Sequence, residues 1–440
     1  MLSAKEINRL AIPAILFNIT EPLIGLADIA ILGQMEKDVI AAQGGVGLAA
    51  GLIATLIWGF AQMRTAVSAI ISRHFGKKNL NPTLSLVPQA LAITLITGLV
   101  VALLTSLFYG DISYFLFGKI SEKTFELSSS YFIIRSIGLP FSLGIALFFG
   151  VFRGLQNTSW AMYIGIIGGT TNIALDYTLI LGFGDVIQPM GVNGAAISSV
   201  IAQGFMFSLC LFILVKKTPY NLELSLTPNP FFSEMVSLFL NMFIRTIVLN
   251  IVFILANRFA NKYGDIELTS YTIGYNIWIF SSFFIDGFSN AGNALAGKYL
   301  GENDYSKLKL LGKKLLKTNL VLVFILCLIY SVCYPFVGEI FNSNAKVVSV
   351  FEATFWIIIL AQPFNSIAFT FDGIFKGLGR AIFLRNTLII GSILIFIPVL
   401  LLFDFLNYNL VAVWIAMTSW MIFRGGVLLW KFNKIINQQS

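Results

Sequence analysis

Four aspartates, Asp28, Asp176, Asp286 and Asp372, stand inside long apolar runs of this 440-residue chain. A carboxyl group in such surroundings needs a partner, a cavity or a bound ion, so each is a candidate for loading and releasing a cation. Before Asp28 the chain places Asn18, Glu21 and Gly25 at three- and four-residue steps, which puts all four near one face of a helix. Pro13 and Pro22 in the same run lack amide hydrogens and free carbonyls, so that helix can bend when a charge on it changes. Asn172 and Asp176 stack four residues apart behind the flexible run Gly168-Gly-Thr-Thr171, and an amide can hydrogen-bond a neighbouring carboxyl in either protonation state. These groups suit proton exchange, and at Asp28, Asn172 and Asp176 their hard oxygens also suit sodium. Asp286 and Asp372, each followed by glycine, are further candidates with Asn250, Asn293 and Asn365. For Asp286 an ion pair with Arg245 is an equal alternative. Arg64, Arg135, Arg245 and Arg424 also lie inside apolar runs.

The elements that carry these residues follow from hydropathy. With 57% hydrophobic and 11% charged residues and a mean hydropathy of +0.84, the chain has more apolar surface than a water-soluble core can hide. Windows of about twenty apolar residues fall near 9–33, 45–72, 86–109, 130–152, 160–182 and 193–215, then near 235–259, 268–297, 315–337, 350–376, 385–404 and 409–431. The expected fold is therefore all-α and membrane-integral, with about twelve transmembrane helices in two pseudo-symmetric six-helix bundles. The first lobe is expected over 1–216, a cytoplasmic linker over 217–232 and the second lobe over 233–440. The two ends and the even-numbered loops hold about nineteen Lys and Arg against about six in the odd loops, which places both termini in the cytoplasm. That distribution explains the net charge of +8 without nucleic acid, which is not an expected partner. The first apolar run is too long for a signal-peptide core, so the N-terminus is expected to be retained.

The halves resemble each other at an offset of roughly 223 to 229 residues. Phe148-Phe-Gly-Val-Phe-Arg-Gly-Leu155 aligns with Phe371-Asp-Gly-Ile-Phe-Lys-Gly-Leu378, Ser72-Arg-His-Phe-Gly76 with Gly297-Lys-Tyr-Leu-Gly301, and Leu26-Ala-Asp28 with Leu255-Ala-Asn257. Both halves have an even number of spans, so the pseudo-twofold axis runs along the membrane normal and a cavity is expected between the bundles.

Other motifs do not hold. Gly292 to Lys298 has phosphate-loop spacing, but Tyr299 replaces the metal-binding hydroxyl and no strand precedes it, so it reads as a helix end. The glycines of Gly45-Val-Gly-Leu-Ala-Ala50 are expected to let helices approach closely. His74 is the only histidine and is expected to be a solvated loop residue; no metal or Ser/His/Asp centre is expected. Cys210, Cys327 and Cys333 read as buried thiols. No cofactor and no enzymatic activity are expected. Without a nucleotide site, an ion gradient is the natural energy source.

The chain resembles the MATE family of multidrug and toxic-compound extrusion transporters, in particular its DinF-like branch. The resemblance is carried by Leu26-Ala-Asp28-Ile-Ala-Ile-Leu-Gly33, Asn172-Ile-Ala-Leu-Asp176-Tyr, Gly191-Val-Asn-Gly-Ala-Ala-Ile-Ser-Ser-Val-Ile-Ala-Gln203, Asp286-Gly-Phe, Phe371-Asp-Gly-Ile-Phe-Lys-Gly and Leu384-Arg-Asn386. It implies a V-shaped central cavity and cation-coupled export of amphipathic, often cationic compounds by an antiporter in the inner membrane, acting as a monomer among lipids. It further implies an N-lobe site for proton or sodium at Asp28, Asn172 and Asp176, joined by the hydroxyl of Ser199. Glu21, Asn18, Arg245, Asp286 and Asp372 are the candidates for the substrate cavity. The seventh span carries Arg245 and Asn250 and no acid, a departure from the NorM-like pattern that favours coupling through the first lobe. A flippase for a lipid-linked precursor is the alternative, kept open by Arg64, Arg135 and Arg245.

Overall fold

The computed structural model describes residues 3–35 and 37–439, with the side chains of Glu21 and Pro335 outside the description. Among these residues the only strand-like feature is an isolated antiparallel bridge, Phe183 to Ile187, in the turn after the fifth span. The first half comprises α1 (Ala4–Leu32), α2 (Val39–Phe60), α3 (Met63–Gly76), α4 (Leu86–Leu107), the short α5 (Tyr109–Phe117), α6 (Glu122–Ser136), α7 (Leu139–Gly154), α8 (Ser159–Leu181) and α9 (Gly191–Lys217). The second comprises α10 (Phe232–Tyr263), α11 (Asp265–Gly301), α12 (Tyr305–Phe341), α13 (Ala345–Gly377), α14 (Ala381–Gly391), α15 (Ile397–Phe405) and α16 (Leu410–Gln439), with a π-helical turn, Ser392–Phe396, joining α14 to α15.

Ten of these segments are long and apolar enough to cross a membrane, α2–α3 and α14–α15 each counting as one, and α6 with α7 supply an eleventh span bent by 51°. The 37-residue α11 completes twelve. It is less apolar because it is enclosed by protein over most of its length instead of facing lipid. Large apolar side chains such as Leu103 (61% exposed) and Phe324 (69%) lie on the outer surface, which only a hydrocarbon solvent tolerates at this density.

The repeat has a physical basis at the helix crossings. A Cβ on Gly150 of α7 would overlap the backbone carbonyl oxygen of Arg64 in α3, and one on its repeat mate Gly373 in α13 would overlap that of Ser289 in α11. Each half therefore packs its second span against its fourth through a glycine without a side chain to hold them apart. On the axis, Ser68 Oγ donates to Asn293 Oδ1 at 3.1 Å, and the two residues are themselves repeat mates. Nearby, Gly76 faces the carbonyl of Lys298 and Gly301 that of Arg73, a second symmetric crossing of α3 and α11. One hydrophobic core runs through this crossing and joins both halves, whereas two others lie within one half each.

Both chain ends lie at one face of the bundle, Glu6 bonded to Lys298 and Gln439 beside Glu302. At that terminal face two ion pairs cross between the halves. Arg73 holds Glu234 through two bonds of 2.9 and 2.7 Å, and Lys298 holds Glu6 at 2.9 Å. The segment between α9 and α10 is strapped to the first half. Gln89 Nε2 donates to the carbonyls of Ser225 (2.9 Å) and Thr227 (2.7 Å), its Oε1 accepts from Asn229 N (3.0 Å), and Tyr220 pairs with Thr83.

His74 is not the solvated loop residue expected from its position before two lysines. It lies in the last turn of α3, 5% exposed, its ring 4.7 Å from that of Phe231 and Nδ1 near the carbonyl of Asn79. The helix simply runs further than the apolar window. Cys210 is buried as expected, while Cys327 and Cys333 are half-buried free thiols. Gly45 approaches the backbone of Thr124 and Ser128, the close contact of α2 with α6 that small residues permit.

Candidate functional site

The helices α1, α8 and α9 bring the first-half acids together. Asp28 comes from the C-terminal part of α1, and Asn172 and Asp176 from one face of α8, which packs between α1 and α9. Asp176 is fully buried and Asn172 is 4% exposed. The two carboxyl groups stand within hydrogen-bonding reach of each other. Yet Asp28 Oδ1 and Asp176 Oδ2 are both buried without a donor. Two carboxylates offer only acceptors, so this contact is satisfied when a proton or another cation lies between them.

Ser198 on α9 completes the arrangement: its hydroxyl donates to Asp176 Oδ1 and accepts from Asn172 Nδ2 at 3.5 Å. Ser199, the position suggested by the sequence, points instead to the cavity wall, together with Asp28 and Asn172. Neighbouring helix positions differ by about 100° in direction, and only the rotational setting of α9 decides which serine meets Asp176.

The cavity has a volume of about 340 Å³ and is enclosed by first-half helices. Phe17, Trp58, Phe149 and Met206 give it an apolar, aromatic body, and Asp28, Arg64, Arg135, Tyr131 and Gln203 give it polarity. Gln203 and Tyr131 were not singled out from the sequence. The only signal is that Gln203 follows Ser199 by one helical turn and Tyr131 precedes Arg135 by one.

The remaining candidates separate. Asn18 donates to the carbonyl of Phe283 in α11, on the other half, and is not a cavity residue. Ten residues at 100° each leave Asn18 and Asp28 about 80° apart, so the single face expected for them drifts into two. The Glu21 side chain lies outside the described residues. Arg245 pairs with Asp372 and not with Asp286. Asp372 also meets Lys376 at 2.7 Å and Arg424 at 3.9 Å, so one carboxylate holds three cations in a buried cluster away from the cavity. Asp286 accepts from Asn290 Nδ2 at 3.0 Å and lies in the field of Arg153. Among the described residues, no three His, Cys, Asp or Glu side chains gather as a transition-metal centre requires.

The chain is similar to known proteins over most of its length. The family model MatE matches residues 13–178 and 241–402, one segment in each half. DNA damage-inducible protein F of Escherichia coli (strain K12) is 26% identical over 436 residues, covering 96% of this chain and 90% of its own. Protein DETOXIFICATION 42 of Arabidopsis thaliana is 27% identical over 306 residues, which are 70% of this chain but only 58% of that longer protein. The Vibrio cholerae MATE transporter VcmN in its bent form shares the fold, with a TM-score of 0.88 at 16% identity over 99% of this chain and 97% of that one. The chain is a multi-pass membrane protein and belongs to the MatE family of transporters.

Proposed function

We propose that this protein is a multidrug efflux antiporter that exports amphipathic, cationic compounds in exchange for protons or sodium, with Asp28 and Asp176 as the coupling site. The observation that carries this reading is the facing pair of carboxyls, Asp28 on the wall of an apolar cavity and Asp176 buried against it, each with a buried oxygen that lacks a donor. A cation entering from outside satisfies both oxygens and removes negative charge from the cavity. A cationic substrate then loses its electrostatic partner and is released, so ion and drug exclude each other. Asn172 and Ser198 hold the pair in place, Ser199 lines the approach, and Pro22 allows α1 to bend as Asp28 is neutralised.

The two halves act as lobes, 1–216 and 233–440, joined by the linker 217–232, in an inner membrane with both termini cytoplasmic and the chain working as a monomer. The loop charges support that orientation. The ion pairs Arg73–Glu234 and Lys298–Glu6 then hold the two halves together on the cytoplasmic side. The test is dye efflux from proteoliposomes with proton and sodium gradients imposed separately. The wild type exports against a dye gradient with one of them, and Asp28→Asn or Asp176→Asn does not. Uphill export by these variants rejects the site. Arg64 and Arg135 on the cavity wall favour one second reading, a flippase for a lipid-linked precursor. Accumulation of such a precursor on depletion of the protein, with no gradient-driven dye movement, selects it.

A further inference from the structure

We propose that Arg135 is a built-in counter-cation of the Asp28–Asp176 pair, so that the site takes one transported monovalent cation per cycle and not two. The inference rests on the coupling site argued above and gives it a number.

Arg135 lies in the last turn of α6, immediately before the 51° bend into α7. Its Nη1 donates to Gln203 Oε1 at 2.6 Å. Gln203 is on α9, five residues beyond Ser198, so the same helix seats both the guanidinium and the hydroxyl that meets Asp176. The bend is shaped around this bridge. A Cβ on Gly138 would overlap Gln203 Oε1 and come within 3.1 Å of Arg135 Nη1. Any residue but glycine there would displace the bond.

Arg135 shares the cavity wall with Asp28, and its charge acts on both aspartates. Among the described side chains lining the cavity, Asp28 comes from α1 and Tyr131 and Arg135 from α6, with Asp176 of α8 buried against Asp28 outside the lining, while α2, α7 and α9 add no charge. Arg64 on α3 also lines the cavity, but the charges that act on Asp28 and Asp176 are their own and that of Arg135. The repeat supports a dedicated role, because the position roughly 223 residues after Arg135 is apolar Ile358.

Two carboxylates and one guanidinium carry a net charge of −1 when empty, 0 with one cation and +1 with two. The second cation enters a site that is already neutral and leaves one positive charge uncompensated in low-dielectric surroundings, which weakens its binding on the order of 100-fold. An Arg side chain cannot relieve this by losing its proton.

The test is the coupling ratio in proteoliposomes, read from the gradient of the cationic dye rhodamine 6G that just balances an imposed proton or sodium gradient. Wild type and Arg135→Lys should each exchange one cation per dye, and Arg135→Gln should exchange two. A second, compensated variant guards against misfolding: Asp28→Asn alone loses coupling, and Asp28→Asn with Arg135→Gln regains one cation per dye. A wild-type ratio of two overturns the proposal, as does a ratio of one in Arg135→Gln. If Arg135→Gln does not fold, the wild-type and Arg135→Lys ratios decide: one cation per dye in both keeps the proposal and two in either overturns it. Uphill dye export by Asp28→Asn alone rejects the coupling site itself, a result separate from any of these.

Discussion

The two ion pairs at the terminal face are repeat mates: Arg73 corresponds to Lys298, and Glu234 to Glu6. Each ties the second span of one half to the first span of the other, so the halves cannot part at that face without breaking both. The side chains are 23% and 35% exposed in one pair and 23% and 27% in the other, so screening is partial. Fully exposed pairs contribute up to about 1 kcal/mol and a two-bonded arginine pair somewhat more, so about 1 kcal/mol each is a fair estimate. Together they bias the closed arrangement by about 2 kcal/mol, roughly 30-fold in the closed-to-open ratio. The assay is a cysteine in place of Ser68, which is fully buried on the axis, in a chain whose Cys210, Cys327 and Cys333 have been replaced. A membrane-impermeant maleimide applied from the terminal face should label it roughly 30-fold faster once Glu6→Gln and Glu234→Gln are introduced. Restoring the geometry with reversed charges, Arg73→Glu with Glu234→Arg, should recover most of the protection that Glu234→Gln alone removes. Unchanged labelling, or a swap no better protected than the single variant, would refute the latch.

Gly150→Val and Gly373→Val each force a side chain into a backbone carbonyl across a helix crossing and should cost about 2 kcal/mol or more, seen as a lower melting temperature in detergent; Gly47→Ala, with open space around it, should be neutral. Asp372→Asn leaves Arg245, Lys376 and Arg424 without their carboxylate and should destabilise by about 3 to 5 kcal/mol in the same assay, whereas Asp372→Glu should cost much less. Gln89→Ala removes three bonds to the connecting segment, and amide exchange over residues 225–229 should quicken by a factor matching about 2 kcal/mol. Asp304 caps α12 by accepting from Lys307 N at 2.8 Å, and this bond with the Lys307 ammonium holds its carboxyl below the usual range. That stabilisation is present above about pH 4 and is lost as pH falls below it, so the Lys307 amide should exchange faster in acid.

The spans were legible because lipid imposes a length and a composition on every one of them. The one that fell short on composition, α11, did so because it is surrounded by protein and relieved of that demand. The glycine pairs at 150/373 and 76/301 were visible as repeated letters, but the carbonyls they face were not. Asp28, Asn172 and Asp176 could be chosen as site candidates because each is costly where it stands, a property of the residue and its own run. Their partners belong to other helices. Ser198 against Ser199, Arg245 against Asp372 and Asn18 against Phe283 are all decided by helix rotation and depth, which vary without altering the hydropathy of the run. Gln203 stood in the sequence only as one turn beyond Ser199, and its bond to Arg135 depends on how α6 and α9 pack.

The halves share their frame and differ in how they treat buried charge, and that difference decides which of them can switch. In the second half Asp372 is surrounded by Arg245, Lys376 and Arg424, cations that are part of the chain and cannot leave. Its carboxylate has its full complement at every stage of a cycle, so it offers nothing for an external ion to complete. In the first half, Asp28 and Asp176 face each other with oxygens that lack donors, and Arg135 is one positive charge against two negative ones. In the proposed coupling, that deficit of one is what a transported ion would supply. A symmetric frame with an asymmetric charge balance can rock as two matching bodies while only one of them reads the gradient. Adding a fixed cation to the first half, or removing two from the second, should therefore disturb coupling far more than any change to the shared glycine crossings that leaves the fold intact.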